Sequence, residues 1–263
     1  MRAASELAGV ASAVAPGAPV LSVRGLSGPA GKPVVRDVSL DVPARATRVV
    51  LGPMHSGKSL LLRLILGLQR SAEGRVTIDG TSFDAARPNE DELRRLRRKV
   101  GVVFDSSALV SRLSLLENVE LPLVEHTDAR EGAARETARD LLREVGVAGD
   151  VDRTPEMTSR LDRRKAALAR ALILHPVVLI VDEPGHGLDA DAAAELDDTL
   201  ERMLQHYGCA ALICSQEVRY AFRFPDAVSV LADGRLVDNG SLDQLRHSRD
   251  DFVRRLVDRR GAA

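Results

Sequence analysis

The 263-residue sequence predicts an α/β fold with an antiparallel β subdomain, a mainly parallel core sheet and a helical subdomain. Three observations carry that expectation. The β-branched run ATRVVLG leads straight into the Gly-bearing turn GPMHSGKS and then into the apolar SLLLRLILGL, which has helical length. VVLIVD at 177–182 is apolar without interruption, as a parallel strand covered on both faces must be. Strands and helical stretches alternate along most of the chain.

Taken in order, MRAASELAGVASAVAPGAP is rich in small residues and resembles a leader segment. Glu6 and Pro16 interrupt its weak apolar run, however, and Arg2 is its only basic start, so residues 1–18 read as a flexible tail. VLSVRGL and VVRDVSLDV alternate as half-buried antiparallel strands do. EGRVTIDG is a short strand closed by the turn pair Asp79-Gly80. PNEDELRRLRRK places acids in the first turn of a helix and bases in the last, matching the helix dipole, and its basic cluster reads as a solvated face. VGVVF is a buried strand. Residues of about 107–172 are mostly helical, DAREGAARETARDLLREVG most clearly. Strands return at AALICS and AVSVLAD, and residues 248–263 read as a helical tail.

Basic and acidic residues number 37 and 38, so no global field draws the chain to nucleic acid or to an anionic membrane. No apolar run reaches the roughly 18–20 residues that span a bilayer, so a membrane role has to come through a partner. The two cysteines, Cys209 and Cys214, lie five apart in CAALIC. In a strand that spacing points them to opposite faces, which favours buried thiols in a reducing cytosol over a disulfide.

Gly52 to Ser59 match G-x-x-x-x-G-K-[ST]. The glycines Gly52 and Gly57 let the backbone curl round phosphate oxygens, with Met54, His55 and Ser56 offering amides and Pro53, which has no N–H, completing the nucleotide-binding loop between them. Lys58 would reach the β- and γ-phosphates of ATP, and Ser59 would bind Mg2+. His55 reads as a loop side chain rather than a ligand. In VVLIVDEP, Asp182 ends a buried strand where a carboxylate can hold magnesium. Glu183 beside it could polarise the attacking water.

These motifs, with EGRVTIDG, RRKAALARALILHP, VVLIVDEPGHGLDA and ADGRLVDNGS in that order, resemble the nucleotide-binding subunit of an ABC transporter over roughly residues 20–247. The resemblance implies a P-loop NTPase cassette of residues 19–247 that binds ATP and Mg2+. It also implies a cytoplasmic location, peripheral on the inner face of the cell membrane through a transmembrane permease, and a second cassette in a homodimer or heterodimer. Asp189, in a D-loop-like HGLDA, would lie at the interface between cassettes. SSALVSRLSLLENVELPLVEHTDA is similar to the ATPases of Mce/Mla-type lipid transporters, which implies Mce-type substrate-binding partners and envelope lipids as cargo.

Against the family pattern, TSRLD stands where a glycine-bearing LSGGQ-like signature caps the nucleotide of the opposite cassette. Ser159 keeps its place as a cofactor-binding residue and forms an S-x-x-D capping box with Asp162, but Arg160 and Leu161 replace glycines. Arg160 could contact phosphate directly, since a guanidinium suits that geometry. Asp105 replaces the Q-loop glutamine and is a further candidate metal ligand. Gln216 falls at the switch histidine, where it can still donate a hydrogen bond but cannot become cationic. Two readings stay open: a transport-coupled ATPase of reduced turnover, or a regulatory cassette paired with a competent partner. A soluble cassette protein of DNA repair or translation fits less well, because such chains carry two cassettes or a long coiled-coil insertion.

Overall fold

The computed structural model describes residues 18–31, 34–128 and 130–258. The expected N-terminal tail lies outside these residues except for Ala18. In chain order the first strands and helices are β1 (Pro19–Gly28), β2 (Val35–Pro43), β3 (Thr47–Leu51), α1 (Lys58–Ile65), β4 (Glu73–Ile78), β5 (Thr81–Asp84) and α2 (Glu90–Arg97). Next come β6 (Val100–Val103), α3 (Leu115–His126), α4 (Glu131–Glu144), a 3-10 turn at Pro155–Met157, α5 (Arg160–Leu172), β7 (Val178–Asp182) and α6 (Ala190–Tyr207). The chain ends with β8 (Ala210–Ser215), α7 (Arg219–Arg223), β9 (Ala227–Ala232), β10 (Arg235–Gly240), α8 (Leu242–Arg246) and α9 (Asp251–Asp258).

The described residues divide into two compact units, one of residues 98–209 and one combining residues 18–97 with residues 210–258. In the second unit a four-stranded antiparallel sheet runs β2-β1-β4-β5. Its β4–β5 hairpin closes at Asp79-Gly80, where φ is +46° and +74°, the left-handed pair that the turn residues announce. The same unit holds β3 with parallel neighbours on both sides: Thr47 pairs with Ala211 of β8, and Arg48 with Ala227 of β9. β10 adds an antiparallel edge to β9. The helix α1 buries Leu61, Leu62, Leu64 and Ile65 and packs on β1 and β8. Between α2 and solvent the division is clean: Leu93 and Leu96 are buried, while Arg94, Arg95, Arg97 and Arg98 are exposed.

In the unit of residues 98–209, β6 and β7 pair in parallel, Val100 against Val178 and Val103 against Val181. All five residues of β7 are buried, which is why its sequence shows no alternation. The helix α5 packs on β6, α3, α4 and α6. Cys209 and Cys214 are both buried and outside any disulfide, and burial pushes the Cys209 thiol up to about 11.

The helix α3 is fastened at its start. Ser114 accepts a hydrogen bond from Glu117 N while Glu117 accepts one from Ser114 N, a complete capping box. Asn118, fully buried, accepts from Val110 N at 2.7 Å and donates to the carbonyls of Val110, Leu113 and Ser114 at 2.8–3.2 Å. One side chain thereby satisfies four backbone groups of the turn that leads into the helix. Asn118→Ala should lower stability by about 2–3 kcal/mol, because removing a buried partner leaves the desolvation penalty behind. Urea unfolding followed by circular dichroism measures it, and a loss under about 0.5 kcal/mol would contradict the anchoring role.

Candidate nucleotide site

The loop Gly52–Ser59 joins β3 to α1. Gly52 N donates to Ser215 O at 3.2 Å, so the loop begins fastened to the end of β8, where Gln216 follows directly. A Cβ at Gly52 would collide with Leu231 O and lie 2.6 Å from Ser56 Oγ. Gly57 caps α1 at φ +103°, a conformation that side chains oppose. Lys58 is 6% exposed and donates to Gly52 O at 2.9 Å and Pro53 O at 3.0 Å, which folds its ammonium back over the loop. Ser56 Oγ is buried with no hydrogen-bond partner, while Pro53, Met54, His55 and Ser59 are exposed. A glycine cradle that a Cβ would fill, an orphaned hydroxyl and a clamped ammonium together fit a polyphosphate, with Ser59 free to face a magnesium ion.

His55 reveals a constraint that sequence reading passed over. It sits at φ +65°, where a side chain costs about 1–2 kcal/mol. The position therefore shapes the loop and carries strain, whichever way its imidazole points. Gly234 was also missed. Its N donates to Ser56 O at 3.0 Å, its carbonyl accepts from Arg36 N at 2.8 Å, and a Cβ there would collide with Val34 O. The Asp233-Gly234 pair, φ +47° and +75°, is the turn signal that could have exposed it.

The remaining candidate residues lie in the unit of residues 98–209. Asp182, 4% exposed, ends β7. Glu183 follows at φ +45°, again a strained left-handed position, between the buried Asp182 and the buried Pro184. Such an outlier next to a buried carboxylate is what a functional constraint leaves behind. Asp189 caps α6, its Oδ1 accepting from Ala192 N at 2.9 Å.

Asp105 meets a cation rather than other carboxylates. Arg164 Nη2 donates to its Oδ1 at 3.0 Å, and His186 Nδ1 lies 2.8 Å from the same oxygen. Burial would raise the Asp105 carboxyl, but the bonds from His186 and Arg164 outweigh it and hold it below the usual carboxylate range. Arg164 is 3% exposed and also donates to Phe104 O at 2.9 Å and His186 O at 3.0 Å. Nothing in the sequence joins 105, 164 and 186.

Ser159 caps α5 by accepting from Asp162 N at 3.0 Å. The expected capping box forms only by half. The Asp162 carboxylate accepts from Ser159 Oγ at 2.8 Å and from Ala148 N at 3.1 Å instead of returning to the Ser159 amide. Arg160 Nη1 donates to Gly187 O, and a Cβ on Gly187, itself at φ +74°, would collide with that guanidinium. Thr158 Oγ1 donates to Pro155 O at 2.9 Å, and Arg163 Nη1 donates to Pro155 O and Thr158 O at 2.8 and 2.7 Å. The turn before α5 is thus braced from two sides.

Comparisons with known proteins agree on the family. The model described as ABC transporter matches residues 35–186. The chain is 34% identical over 241 residues to the probable ribonucleotide transport ATP-binding protein of Mycobacterium leprae, covering 91% of this chain and 69% of that one. The Mycobacterium tuberculosis counterpart is matched over 62% of its length. It is also 34% identical to the glutamate transport ATP-binding protein of Corynebacterium efficiens, covering 77% of this chain and 82% of that one. Among solved structures it resembles a dimeric bacterial ABC transporter cassette, with a TM-score of 0.75 at 25% identity, covering 84% of this chain and 98% of that one. With its phosphate-loop geometry, the chain belongs to the ATP-binding cassettes of the ABC transporter family, ATPases that bind ATP with Mg2+.

Proposed function

We propose that this chain is the cassette that couples ATP to a membrane permease, working as one of a pair of cassettes on the cytoplasmic face. The phosphate loop carries the reading, because its glycine cradle and clamped Lys58 have no structural need that a plain turn would not meet. No helix among the described residues is long and apolar enough to cross a membrane, so the permease is a separate partner in this reading. The named substrates of relatives differ, a ribonucleotide in one and glutamate in another. Envelope lipids of the Mce/Mla kind are favoured by the segment NVELPLVEHT at 118–127, and with them Mce-type binding proteins as partners.

In this reading Gly52–Ser59 hold the nucleotide, with the amides of the loop and Lys58 facing its phosphates. Ser59 and Asp182 are the residues that would hold Mg2+, which when bound neutralises charge on the phosphates. Glu183 accepts the proton of the attacking water, and Gln216 donates a hydrogen bond to the phosphate end. Asp105 is assigned a positioning role instead of a metal-binding one, because Arg164 already balances its charge. Ser159 caps the nucleotide of the opposite cassette.

A regulatory cassette is the second reading, favoured by one observation. Arg160 is bonded to Gly187 O of its own chain, so the first turn of α5 presents a side chain where the family presents bare backbone.

Steady-state phosphate release tests the reading. Glu183→Gln should retain ATP affinity and lower turnover by about 10²–10⁴, the usual worth of a positioned base. Lys58→Ala, by contrast, should lose ATP affinity itself. Turnover of Glu183→Gln at the wild-type rate would remove Glu183 from the chemistry.

The altered signature should cost about 2–4 kcal/mol of transition-state stabilisation, by analogy with lost oxyanion donors. The isolated chain should therefore turn over slowly. Arg160→Gly combined with Leu161→Gly should raise its rate, provided ATP-dependent dimerisation, followed by light scattering, is kept. A double variant that dimerises yet turns over more slowly would make Arg160 a working ligand.

Asp105 generates a pH prediction. Its folded carboxyl titrates below the unfolded value of about 3.9, so the stability it contributes is fully present above that pH and fades as pH falls through the folded value. Asp105→Asn should cost about 1–2 kcal/mol at pH 7. That is less than the roughly 3–5 of a fully buried pair, because the Asp105 side chain is 43% exposed. The difference from wild type should shrink below about pH 4, read by thermal unfolding across pH. A gap that stayed constant to pH 2.5 would mean the carboxylate charge contributes nothing.

A further inference from the structure

The unit of residues 98–209 carries a cleft of about 290 Å³, to which the reading above assigns no ligand of its own. Three segments line it. Arg160, Arg163 and Arg164 come from the first turns of α5, Asp105 from the segment after β6, and His186 from the loop after β7.

The charges in the cleft do not balance. Asp105 is its single acidic lining residue, and it is engaged by the buried Arg164 and by His186. Arg160 and Arg163 bond only to carbonyl oxygens among the described residues, of Gly187 in one case and of Pro155 and Thr158 in the other. A neutral carbonyl orients a guanidinium without cancelling its charge. Each of the two arginines uses one terminal nitrogen in this way, which leaves its other terminal nitrogen and Nε for a further acceptor. Residues three apart on a helix share a face, so both forks serve one small region. The amino end of α5 adds its partial positive charge.

We infer that this cleft is a phosphate site in its own right, in which Arg160 and Arg163 hold a free phosphate ion or a small phosphomonoester. Guanidinium forks match tetrahedral oxyanions bidentately, which a point charge does not. A volume of about 290 Å³ falls at the lower edge of small-molecule pockets, which suits a phosphate ion or a small ester. Asp105 acts as the counterweight. It keeps Arg164 balanced and weakens the attraction for the anion by like-charge repulsion.

The test uses the full chain carrying Lys58→Ala, so that phosphate bound at Gly52–Ser59 does not contribute. Inorganic phosphate and glycerol 3-phosphate are titrated separately at low ionic strength by calorimetry, with acetate as the comparison anion. Phosphate should bind, and Arg160→Gln with Arg163→Gln should weaken it by at least about tenfold. Asp105→Asn should tighten it severalfold, a gain that misfolding cannot imitate. The His186 imidazole resonances should move during the titration, which places the ligand in the cleft without any change to the arginines. The tighter of the two phosphate ligands identifies the source, free ion or ester. Acetate bound as tightly as phosphate would overturn the inference. So would still His186 resonances at saturation, or a folded double variant of unchanged affinity. None of these results bears on ATP binding by the unmodified loop.

Discussion

A guanidinium that cannot shed its proton and is almost wholly out of water constrains residues 98–209 more than any other group. Arg164 is 3% exposed, and burying such a charge is tolerable only when its donors are met and a counter-charge stands close. Its donors reach Phe104 O, Asp105 Oδ1 and His186 O, residues 60, 59 and 22 positions away in the chain. The segment after β6, the start of α5 and the loop after β7 are therefore fixed to one another. His186 adds a second tie through the same carboxylate oxygen. These are the segments from which the family makes its Q-loop, signature and D-loop, so the functional loops of this unit inherit their positions from one buried charge.

The loop Gly52–Ser59 is governed by steric exclusion instead. At Gly52 and Gly234 a single methyl group would strike a carbonyl oxygen, and at Gly57 the backbone adopts φ +103°. His55 shows the limit of the rule. It accepts a left-handed backbone at a cost, and the loop keeps its shape because both ends are hydrogen-bonded, Gly52 N to Ser215 O and Ser56 O to Gly234 N.

Much of this was legible in the sequence, for identifiable reasons. Strands buried on both faces announce themselves, as VVLIVD does, because no polar alternation survives there. The strand–loop–helix order around Lys58 follows from local chemistry, and so does the hairpin at Asp79-Gly80. Ser159 as the cap of α5 could be read from its type and place. What could not be read depends on residues far apart meeting. The role of Asp105 required Arg164 and His186, and the second half of the Ser159–Asp162 box was lost to Ala148 N, which no local pattern includes. Asn118 belongs to a segment singled out for its resemblance to lipid-transport ATPases. Its four hydrogen bonds give that asparagine an architectural duty that family likeness alone would not suggest.

Two of the positions that depart from the family pattern are not independent of their surroundings. Arg160 fills space against Gly187, whose missing side chain is what admits the guanidinium. Asp105 supplies the charge that Arg164 needs and an acceptor that His186 meets. Returning either one alone to the family residue would leave its partner strained or unbalanced. A glutamine at 105 is neutral, and a glycine at 160 opens a gap beside 187. Residues sharing a network in this way couple, so the effects of single reversions will not add. The departures therefore form one rearranged surface across residues 105, 160, 164 and 186–187, held by internal contacts of the kind that stabilise a native fold.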